Sequence, residues 1–369
     1  MRITFIQPTV DMSGGTKVVA IYSKALAQMG HDVRVISPPA RSLPLASKLR
    51  SWFDGLGWPS DQERQPSHYD GSGIDHHVLD RWRPVTDNDV WDGDVVIATW
   101  WETAEWVNLL GRKKGAKVYF VQHHEIFPYL PVERCRATYS FPLHKIVVAQ
   151  WLKDVMNLQY GDRIVDVVPN SVDRSQFFAP ARGKQSYPTV GFLYSTASWK
   201  GLDVTLAAIR ILRERIRDLR VVTFGSQRPT NHLPLPKGAE FHLAPPQHQI
   251  RDLYSKCDAW MTSSRSEGFN LPALEAMACR TPIVATRTGW PEKSVKTGWN
   301  GVLVNVDDVS AVADGVEWLL SRTDAEWQAI SSAAYTTSST GSWQESAQMF
   351  ERALKHACDR AAQGKLAGT

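Results

Sequence analysis

The sequence predicts an α/β protein made of two doubly wound parallel-sheet domains. Short apolar runs rich in β-branched residues alternate with helical patterns along most of the 369 residues, which is typical of parallel strands joined by crossover helices. The alternation occurs twice, and the chain is longer than the roughly 100–200 residues usual for one domain. Between the halves the periodicity is lost in PNSVDRSQFFAPARGKQSYP, a stretch rich in Pro, Ser and charge.

This pattern divides the chain into four segments. We expect a first Rossmann-like domain over residues 1–168, a linker over 169–187, a second Rossmann-like domain over 188–341 and a C-terminal helix over 342–369. Ligands of doubly wound sheets lie beyond the carboxyl ends of the strands, so two such domains facing each other would enclose an interdomain cleft. The sequence leaves open whether the last helix crosses back to cover the first domain.

The predicted strands are short apolar runs. They are RITFI, DVRVIS, DVVIAT, KVYFVQ, KIVVAQ and IVDVVP in the first half, and TVGFLY, RVVTFG, EFHLA, AWMTS, PIVAT and GVLVN in the second. Apolar residues recur at helical spacing from Val18 to Met29 and from Leu202 to Ile216, which predicts a helix after the first strand of each half. A last helix is predicted from Ser342 to about Ala362.

Composition points to an ordinary folded protein without a membrane span. The chain is 43% hydrophobic and 22% charged, and no apolar run approaches the roughly 18 residues that a membrane helix needs. The N-terminal MRITFIQPTV has one basic residue and no cleavage site of small residues, so we interpret it as a strand rather than a signal peptide. Four cysteines without metal-type spacing predict reduced thiols in a cytoplasmic protein.

Two glutamates flank a Gly/Pro turn in SRSEGFNLPALEAMACRTPIVATRTGWPE. Glu267 follows a predicted strand, and Pro272 predicts a helix that begins near Leu271, with Glu275 in its first turn. The backbone amides of residues 269–271 would then be unsatisfied helix-start donors, which suit a phosphate. Carboxylates accept hydrogen bonds from hydroxyls, so the glutamates suit the sugar hydroxyls on the two sides of a pyrophosphate. The alternative for either glutamate alone is a structural role at the helix start.

The segment from Ser264 to Ala285 resembles the donor-site signature of retaining glycosyltransferase family 4, S-x-x-E-G-F-G-L-P-x-L-E-A-M-A-x-G-x-P-V-V-A. This family has the GT-B fold of two Rossmann-like domains and includes bacterial polysaccharide and glycolipid enzymes. The resemblance implies that Glu267 contacts hydroxyls of the donor sugar and Glu275 the ribose. With the segments described next, it implies donor-binding roles for Gly14, Gly15, Tyr194, Lys200, Ser264, Glu267, Gly268, Phe269, Asn270, Leu271 and Glu275.

Three residues depart from the family signature. Asn270 and Arg280 stand where the family commonly has glycine, and Trp290 stands where a second glycine is usual. Asn tolerates left-handed backbone angles better than most residues, so we expect the first change to be mild. Arg280 and Trp290 leave the identity of the donor open.

A second segment, LYSTASWKGLDVTL, follows a strand and opens a helix. It resembles the family segment in which an arginine and a lysine clamp the diphosphate. Lys200 matches the lysine, whereas Tyr194 occupies the arginine's place, so stabilisation of the leaving group would depend more on Lys200 and helix-start amides. The alternative is that Lys200 is a surface lysine before a helix.

The first half offers weaker signals at three strand ends. Gly14 and Gly15 in SGGTKVV resemble the family's N-terminal glycine loop. In YFVQHHEIFPY the family often has a histidine beside the reacting sugar, and four neighbours compete for that place: Gln122, His123, His124 and Glu125. In ATWWETAEW, stacking on an acceptor sugar and core packing are equally plausible. The catalytic candidates are Glu267, Lys200, His123 and His124. The acceptor-binding candidates are Trp100, Trp101, Glu102 and Gln122.

Two further features concern metals and membranes. Asp87-Asn88-Asp89 and Asp92-Gly93-Asp94 look like a metal-binding DxD motif but precede a strand instead of ending one, so we expect a solvated acidic turn, no metal and no cofactor. The stretch from Arg41 to Pro59 mixes Leu, Trp and Phe with basic residues and suggests an interfacial amphipathic helix on the inner face of the membrane. A loop packed against its own domain is the alternative.

The sequence therefore predicts a retaining hexosyltransferase. It would move a hexose or deoxyhexose from a nucleotide-diphosphate sugar to a hydroxyl of a glycan or lipid-linked acceptor, in the biosynthesis of cell-surface polysaccharide or glycolipid. The expected partners are these two substrates and no nucleic acid. The alternatives are a nucleotide-sugar epimerase of the same fold and a non-catalytic donor-binding subunit. The base and sugar of the donor, the acceptor and the oligomeric state stay open.

Overall fold

The protein is described by a computed structural model that covers residues 1–41 and 66–366. One compact unit consists of Met1–Pro169 and Gln344–Thr369, and the other of Asn170–Trp343. Each unit contains one parallel sheet with helices, so the prediction of two Rossmann-like α/β domains is confirmed. No helix of the described residues is long and apolar enough to span a bilayer. Most of the predicted amphipathic stretch at 41–59 lies outside the described residues.

The first unit contains a seven-stranded sheet in the order β3-β2-β1-β4-β5-β6-β7, with every pair parallel. The strands are β1 Arg2–Ile6, β2 Asp32–Ser37, β3 Asp75–Val78, β4 Val95–Ala98, β5 Ala116–Val121, β6 His144–Val147 and β7 Val165–Val167. Every residue of β4 and β5 is buried, which explains their continuous apolar runs. The sequence analysis missed β3, because this half-exposed edge strand reads DHHV and lacks a β-branched run.

Helices α1 to α4 connect these strands. They are α1 Gly14–Gln28, α2 Trp101–Leu109, α3 Val132–Tyr139 and α4 Gln150–Tyr160. Helix α1 begins after the N-cap Ser13, whose side chain accepts from the Thr16 amide, and it buries the predicted apolar face, including Val18, Tyr22 and Leu26.

The second unit contains a six-stranded parallel sheet in the order β10-β9-β8-β11-β12-β13. Its strands are β8 Thr189–Leu193, β9 Arg220–Gly225, β10 Glu240–Leu243, β11 Ala259–Thr262, β12 Ile283–Thr286 and β13 Gly301–Val304. Its helices are α5 Leu202–Arg215, α6 Gln247–Ser255, α7 Leu271–Ala278, α8 Gly289–Ser294, α9 Val309–Leu320 and α10 Asp324–Ser338. All six predicted strands are present here.

Strand order reverses at one place in each sheet. The reversal lies between β1 and β4 in the first sheet and between β8 and β11 in the second. At such a point the connections on either side run in opposite directions, which opens a crevice at the carboxyl ends of the strands. The loops that leave β8 and β11 are therefore the place to look for a ligand site in the second unit.

The last helix, α11 Trp343–Ala362, packs on the first unit. Phe350 is fully buried, and its ring lies 4.5 Å from that of Tyr22, 5.0 Å from Phe120 and 6.1 Å from Phe5, measured between centroids. Residues from both ends of the chain therefore share one core, which answers the question that the sequence left open about this helix.

A polar cluster joins α11 to strands β6 and β7 of the first sheet. Asp166 Oδ2 lies 2.9 Å from His144 Nε2 and 2.9 Å from His356 Nδ1, and Arg360 Nη1 lies 2.9 Å from His144 Nδ1. These three residues, His144, Asp166 and His356, place potential metal ligands within 4.8 Å of one another. A guanidinium can only donate, so His144 must accept at Nδ1 and carry its proton on Nε2. That tautomer leaves no lone pair at Nε2 for a metal. The cluster therefore indicates hydrogen bonding between α11 and the sheet.

Phe350→Ala should lower the free energy of unfolding by about 3–5 kcal/mol, because it leaves a cavity among three aromatic rings. Urea denaturation measures the change. The control is Arg352→Ala on the same helix, since Arg352 is exposed and should shift stability by no more than about 0.5 kcal/mol. Equal effects from the two variants would contradict the assignment of α11 to this core.

Stability should fall as the pH drops below about 6.5. Burial lowers the pKa of His144 and outweighs the opposing effect of Asp166, so the unfolded chain takes up a proton that the folded chain does not. Burial alone would raise the pKa of Asp166, but its hydrogen bonds from His144 and His356 hold it below its ordinary value, so its contribution is lost only below about pH 4. Melting temperatures of wild type and His144→Gln between pH 8 and pH 5 test this, and an unchanged slope in the variant would exclude His144 as the source.

Candidate functional site

The candidate site lies on two loops that leave β8 and β11 at the reversal of strand order. The first loop ends in a short 3₁₀ turn, Ser198–Lys200, followed by Gly201 and α5. Gly201 has φ of +62°, and a Cβ at this position would lie 2.0 Å from the carbonyl oxygen of Ser263 on the second loop. Glycine is therefore required where the two loops cross.

Lys200, Glu267 and Ser264 meet at this crossing. Lys200 Nζ lies 2.8 Å from Glu267 Oε1, and Ser264 Oγ donates to the same oxygen over 2.6 Å. Glu267 is 7% exposed, whereas the Lys200 side chain is 26% exposed, so the ion pair is half covered. Within the described chain no group donates to the other oxygen of Glu267, Oε2. The carboxylate can therefore accept a hydrogen bond from a ligand hydroxyl while Lys200 holds it in place.

Arg265 fastens the two loops together. Its guanidinium donates to Asp203 over 2.6 and 3.0 Å, to Asp307 over 2.7 Å and to the Ser198 carbonyl over 2.7 Å. Its backbone amide donates to the Trp199 carbonyl over 2.7 Å. Sequence reasoning missed Arg265, because it occupies a variable position of the signature and its carboxylate partners are far away in the sequence.

The turn after Glu267 opens helix α7. Asn270 has φ of +80° and caps the helix by accepting from the Ala273 amide over 3.3 Å, while its Nδ2 donates to Thr262 over 2.8 Å. The left-handed backbone at Asn270 and the helix start at Leu271 are as predicted. Among the described residues, the amides of 269–271 donate to no other group, so they remain available to an anion.

Glu275 lies deeper than expected along α7. It is the fifth residue of the helix, so the prediction that it belongs to the first turn is wrong: a helix that begins at Leu271 completes its first turn at Leu274. Its side chain is 7% exposed and accepts from the Tyr254 hydroxyl over 3.0 Å. Burial, and then the neighbouring Glu275, raise the pKa of Tyr254 well above its usual value, which keeps this phenol a hydrogen-bond donor.

Tyr194, expected at the arginine's place, lies in the core of the second unit. It is 1% exposed, its hydroxyl donates to the Leu233 carbonyl over 2.9 Å, and the Thr230 amide donates to that hydroxyl over 2.9 Å. Both hydrogen-bonding directions of the phenol are thus used inside the protein, and its hydroxyl is not directed to a ligand.

Arg280 also points away from the signature loop. It adopts a left-handed φ of +59° at the position where the family pattern has glycine, at a backbone cost of about 1–2 kcal/mol. Its side chain donates to the Ala179 carbonyl over 3.1 Å and lies 4.2 Å from the ring centroid of Tyr335. These contacts offset part of the strain and indicate a structural role.

In the first unit, the glycine loop and one candidate polar residue come together. Gly14 and Gly15 form the exposed first residues of α1. Gln122, which follows β5, donates from Nε2 to the Gly15 carbonyl over 3.3 Å. The carboxyl ends of β1 and β5 thus supply neighbouring groups on the same side of the sheet.

The two histidines after β5 have different environments. His124 is 8% exposed, its Nε2 lies 2.8 Å from the Tyr160 hydroxyl, and burial lowers its pKa to about 4. It is therefore neutral at pH 7 and serves packing. His123 is half-buried beside the rings of Phe127 and Trp151, and its Nδ1 donates to the His124 carbonyl over 3.0 Å. His123 is the more accessible of the two.

The Trp-Trp-Glu group divides between surface and core. Trp101 is 4% exposed, and its amide donates to the buried Glu125 carboxylate over 2.9 Å, so the expected stacking role does not suit Trp101. Trp100 is half-buried at the start of α2, and Glu102 pairs with Arg41 over 2.7 Å. Burial raises the pKa of Glu125 well above its usual range.

The aspartates before β4 accept hydrogen bonds from other groups of the protein. Asp89 forms two bonds with Arg83, of 2.6 and 2.7 Å, and Asp87 accepts from the Gly111 amide over 2.8 Å. Lys114 bonds Asp92, and the Arg2 amide bonds Asp94. These carboxylates support loops and do not converge on a common point at a strand end.

Comparison with known proteins identifies related chains. Residues 173–336 match the family described as Glycosyl transferases group 1. The chain is 32% identical over 181 residues to D-inositol 3-phosphate glycosyltransferase of Corynebacterium urealyticum, covering 45% of this chain and 42% of that one. It is 27% identical over 254 residues to the GDP-mannose-dependent alpha-(1-6)-phosphatidylinositol monomannoside mannosyltransferase of Mycolicibacterium smegmatis, covering 60% and 66%. The chain thus matches less than half the length of the first relative.

A solved structure shares the fold over nearly the whole chain. HepE of Anabaena, crystallised with UDP and glucose, superposes with a TM-score of 0.71 at 16% identity and covers 96% of this chain and 99% of that one. At this identity the likeness establishes the fold alone.

Gly201→Ala should destabilise the second unit by more than the roughly 1–2 kcal/mol of a left-handed backbone, because its Cβ would collide with the Ser263 carbonyl. The matched control is Gly238→Ala, since Gly238 has φ of +76° and open space around it. Urea unfolding of both variants measures the difference. A Gly201 variant no less stable than the control would show that the loop crossing is not rigid.

Proposed function

We propose that this chain, whose residues 173–336 match the family Glycosyl transferases group 1, transfers a hexose or deoxyhexose from a nucleotide-diphosphate sugar to a hydroxyl of a glycan or lipid-linked acceptor, with retention of configuration. Cell-surface polysaccharide or glycolipid biosynthesis, at the cytoplasmic face of the membrane, is the proposed setting. The named relatives act on inositol phosphate or on phosphatidylinositol mannoside acceptors, which is consistent with this class of reaction.

One observation carries the proposal: a lysine, a hydrogen-bonded carboxylate and unpaired helix-start amides converge at the reversal of strand order. A diphosphate carries negative charge that the amides of 269–271 and Lys200 can hold. Glu267 Oε2 can accept from a hydroxyl of the transferred sugar. Glu275 would hold the ribose, for which its carboxylate has the right chemistry. The acidic side chains therefore recognise the sugars, and the donors recognise the phosphates.

In the proposed reaction the acceptor hydroxyl attacks the anomeric carbon from the face that the diphosphate leaves. The bond from that carbon to the phosphate oxygen breaks while a new carbon–oxygen bond forms, and the acceptor's proton passes to the departing oxygen. Charge develops on the leaving diphosphate, so Lys200 and the helix-start amides stabilise the transition state more than the ground state. No nucleophilic side chain of the protein is required.

The first unit would bind the acceptor. His123 is the better of the two histidine candidates for a place beside the reacting sugar, because His124 is buried and bonded to Tyr160. Trp100, Glu102 and Gln122 remain the candidates for acceptor contacts. We propose that no metal takes part; this rests on Lys200 and the amides as the source of positive charge.

A non-catalytic donor-binding subunit is the second candidate function. It is favoured by one observation, that the arginine's place in the phosphate clamp is held by the buried Tyr194. Such a subunit would bind the nucleotide sugar without transferring it, whereas an epimerase would convert the nucleotide sugar without an acceptor. Product analysis of purified wild-type protein separates the three.

Glu267→Gln should reduce sugar transfer by about 100-fold or more while nucleoside diphosphate binding is retained, because the amide keeps the shape and loses the charge. Thermal shifts with UDP, GDP, dTDP and ADP sugars identify the donor, and mass spectrometry of candidate acceptors detects transfer. The control is Glu292→Gln, an exposed carboxylate on the adjacent helix α8, which should leave activity unchanged. Full activity in the Glu267 variant, or no transfer by wild type from any of these donors, would contradict the proposal.

A further inference from the structure

Trp290 departs from the family pattern and lies against the turn that follows Glu267. It is the second residue of α8, which follows β12, and it stands where a glycine is usual. We propose that Trp290, backed by Phe269, forms an aromatic wall that contacts the sugar ring of the donor and selects among donor sugars. This inference rests on the proposed function and specifies a residue that determines sugar specificity.

The backbone of the Trp290 loop lies directly on the Glu267 turn. A Cβ added to Gly289, which has φ of +61°, would lie 2.8 Å from the Phe269 carbonyl oxygen and 2.9 Å from Glu267 Cβ. The Trp290 amide donates to the same Phe269 carbonyl over 2.7 Å. A side chain at position 289 would collide with this turn, so glycine permits the approach, which places the Trp290 backbone against the turn that contains Glu267 and Phe269.

The indole ring has one supported side. Its centroid lies 6.2 Å from that of Phe269, with 27° between the ring planes. Phe269 is 6% exposed and belongs to the core, whereas Trp290 is only half-buried. In the described chain, no hydrogen bond involves the indole N–H. The half-buried ring therefore offers part of an apolar surface and, among the described residues, an N–H donor without a partner.

This combination has the chemistry of a sugar site. A pyranose has apolar C–H faces and equatorial hydroxyls, so it packs on an aromatic surface while its hydroxyls bond to carboxylates. The indole ring of Trp290 and the open oxygen of Glu267 supply these two features on loops whose backbones are in contact. Core Trp residues of the same unit, Trp260 and Trp327, are fully buried, so Trp290 is not a core residue of that kind.

The sugar, rather than the nucleotide, is the moiety that this wall would contact. Gly289 approaches Glu267, which is the carboxylate assigned to the transferred sugar, and Glu275, assigned to the ribose, lies further along α7 beside Tyr254. Free nucleoside diphosphate lacks the sugar. Its affinity should therefore be insensitive to the indole ring, whereas the affinity of the complete donor should depend on it.

The experiment uses calorimetry to compare dissociation constants for whichever of the UDP, GDP, dTDP and ADP sugars stabilises the protein most in thermal shifts and for the matching free nucleoside diphosphate. Trp290→Ala should weaken the sugar nucleotide by roughly 5- to 10-fold, as expected for loss of an aromatic contact, and change the diphosphate by less than about twofold. Trp290→Phe should retain most of the affinity. The ratio of activities with glucose and galactose epimers of the donor should also move towards one in Trp290→Ala.

The control is Trp299→Ala, since Trp299 is 50% exposed in the same unit and its ring centroid lies 5.4 Å from Lys296 Nζ; it should change neither constant. Equal weakening of both ligands would show that Trp290 contacts the nucleotide and would overturn the proposal, as would no change in either. If Trp290→Ala fails to fold, Trp290→Leu takes its place: weaker binding of the sugar nucleotide with unchanged binding of the diphosphate supports the contact, and equal weakening of both ligands or no change in either refutes it. Wild type that binds no nucleoside diphosphate would instead sink the proposed function itself.

Discussion

The arrangement of the candidate site depends on the contact between the loops that follow β8 and β11. Adjacent parallel strands bring these loops to the same edge, but strand pairing alone does not fix side chains to within an ångström. That is achieved by Gly201, which lets the loops cross, and by Arg265, which bonds Asp203 on one side and Asp307 on the other. Lys200 and Glu267 meet because these contacts fix the positions of both loops. Rigid support of this kind is what makes polar groups effective in binding and catalysis.

In the proposed function, Lys200 would couple the recognition of two parts of the donor. Without ligand its charge is balanced by Glu267 at 2.8 Å, so neither ion is left unpaired in a half-buried place. A bound diphosphate would draw on the same lysine, and a bound sugar on the same carboxylate. In the proposed function, the diphosphate and sugar halves of a donor would therefore be recognised through one shared ion pair, and a ligand with both halves would satisfy it better than either half alone.

How much could be predicted depends on whether the determining contacts are local in the sequence. Buried strands and the start of α7 at Leu271 follow from continuous apolar runs and from Pro272, and the signature around Glu267 lies within one strand–turn–helix unit. The sequence predicts a donor-binding role for Tyr194, whereas its hydroxyl is hydrogen-bonded to Thr230 and Leu233 inside the protein. These partners are distant in the sequence, so no local pattern reveals the contact. Arg265 has no sequence signal for the same reason. The edge strand β3 carries too few apolar residues to reveal a pairing imposed by its neighbour.

The placement of α11 has a consequence for the order of events during synthesis. Phe350 belongs to the core of the unit that begins at Met1, yet the ribosome polymerises it only after the whole of Asn170–Trp343. The interposed unit is contiguous and can complete its own core first, whereas the amino-terminal sheet must wait with Tyr22 and Phe120 uncovered. In a nascent chain, the apolar face of the first sheet would therefore stay exposed until α11 is made, after the second unit is complete. This reverses the usual order, in which the N-terminal domain folds first.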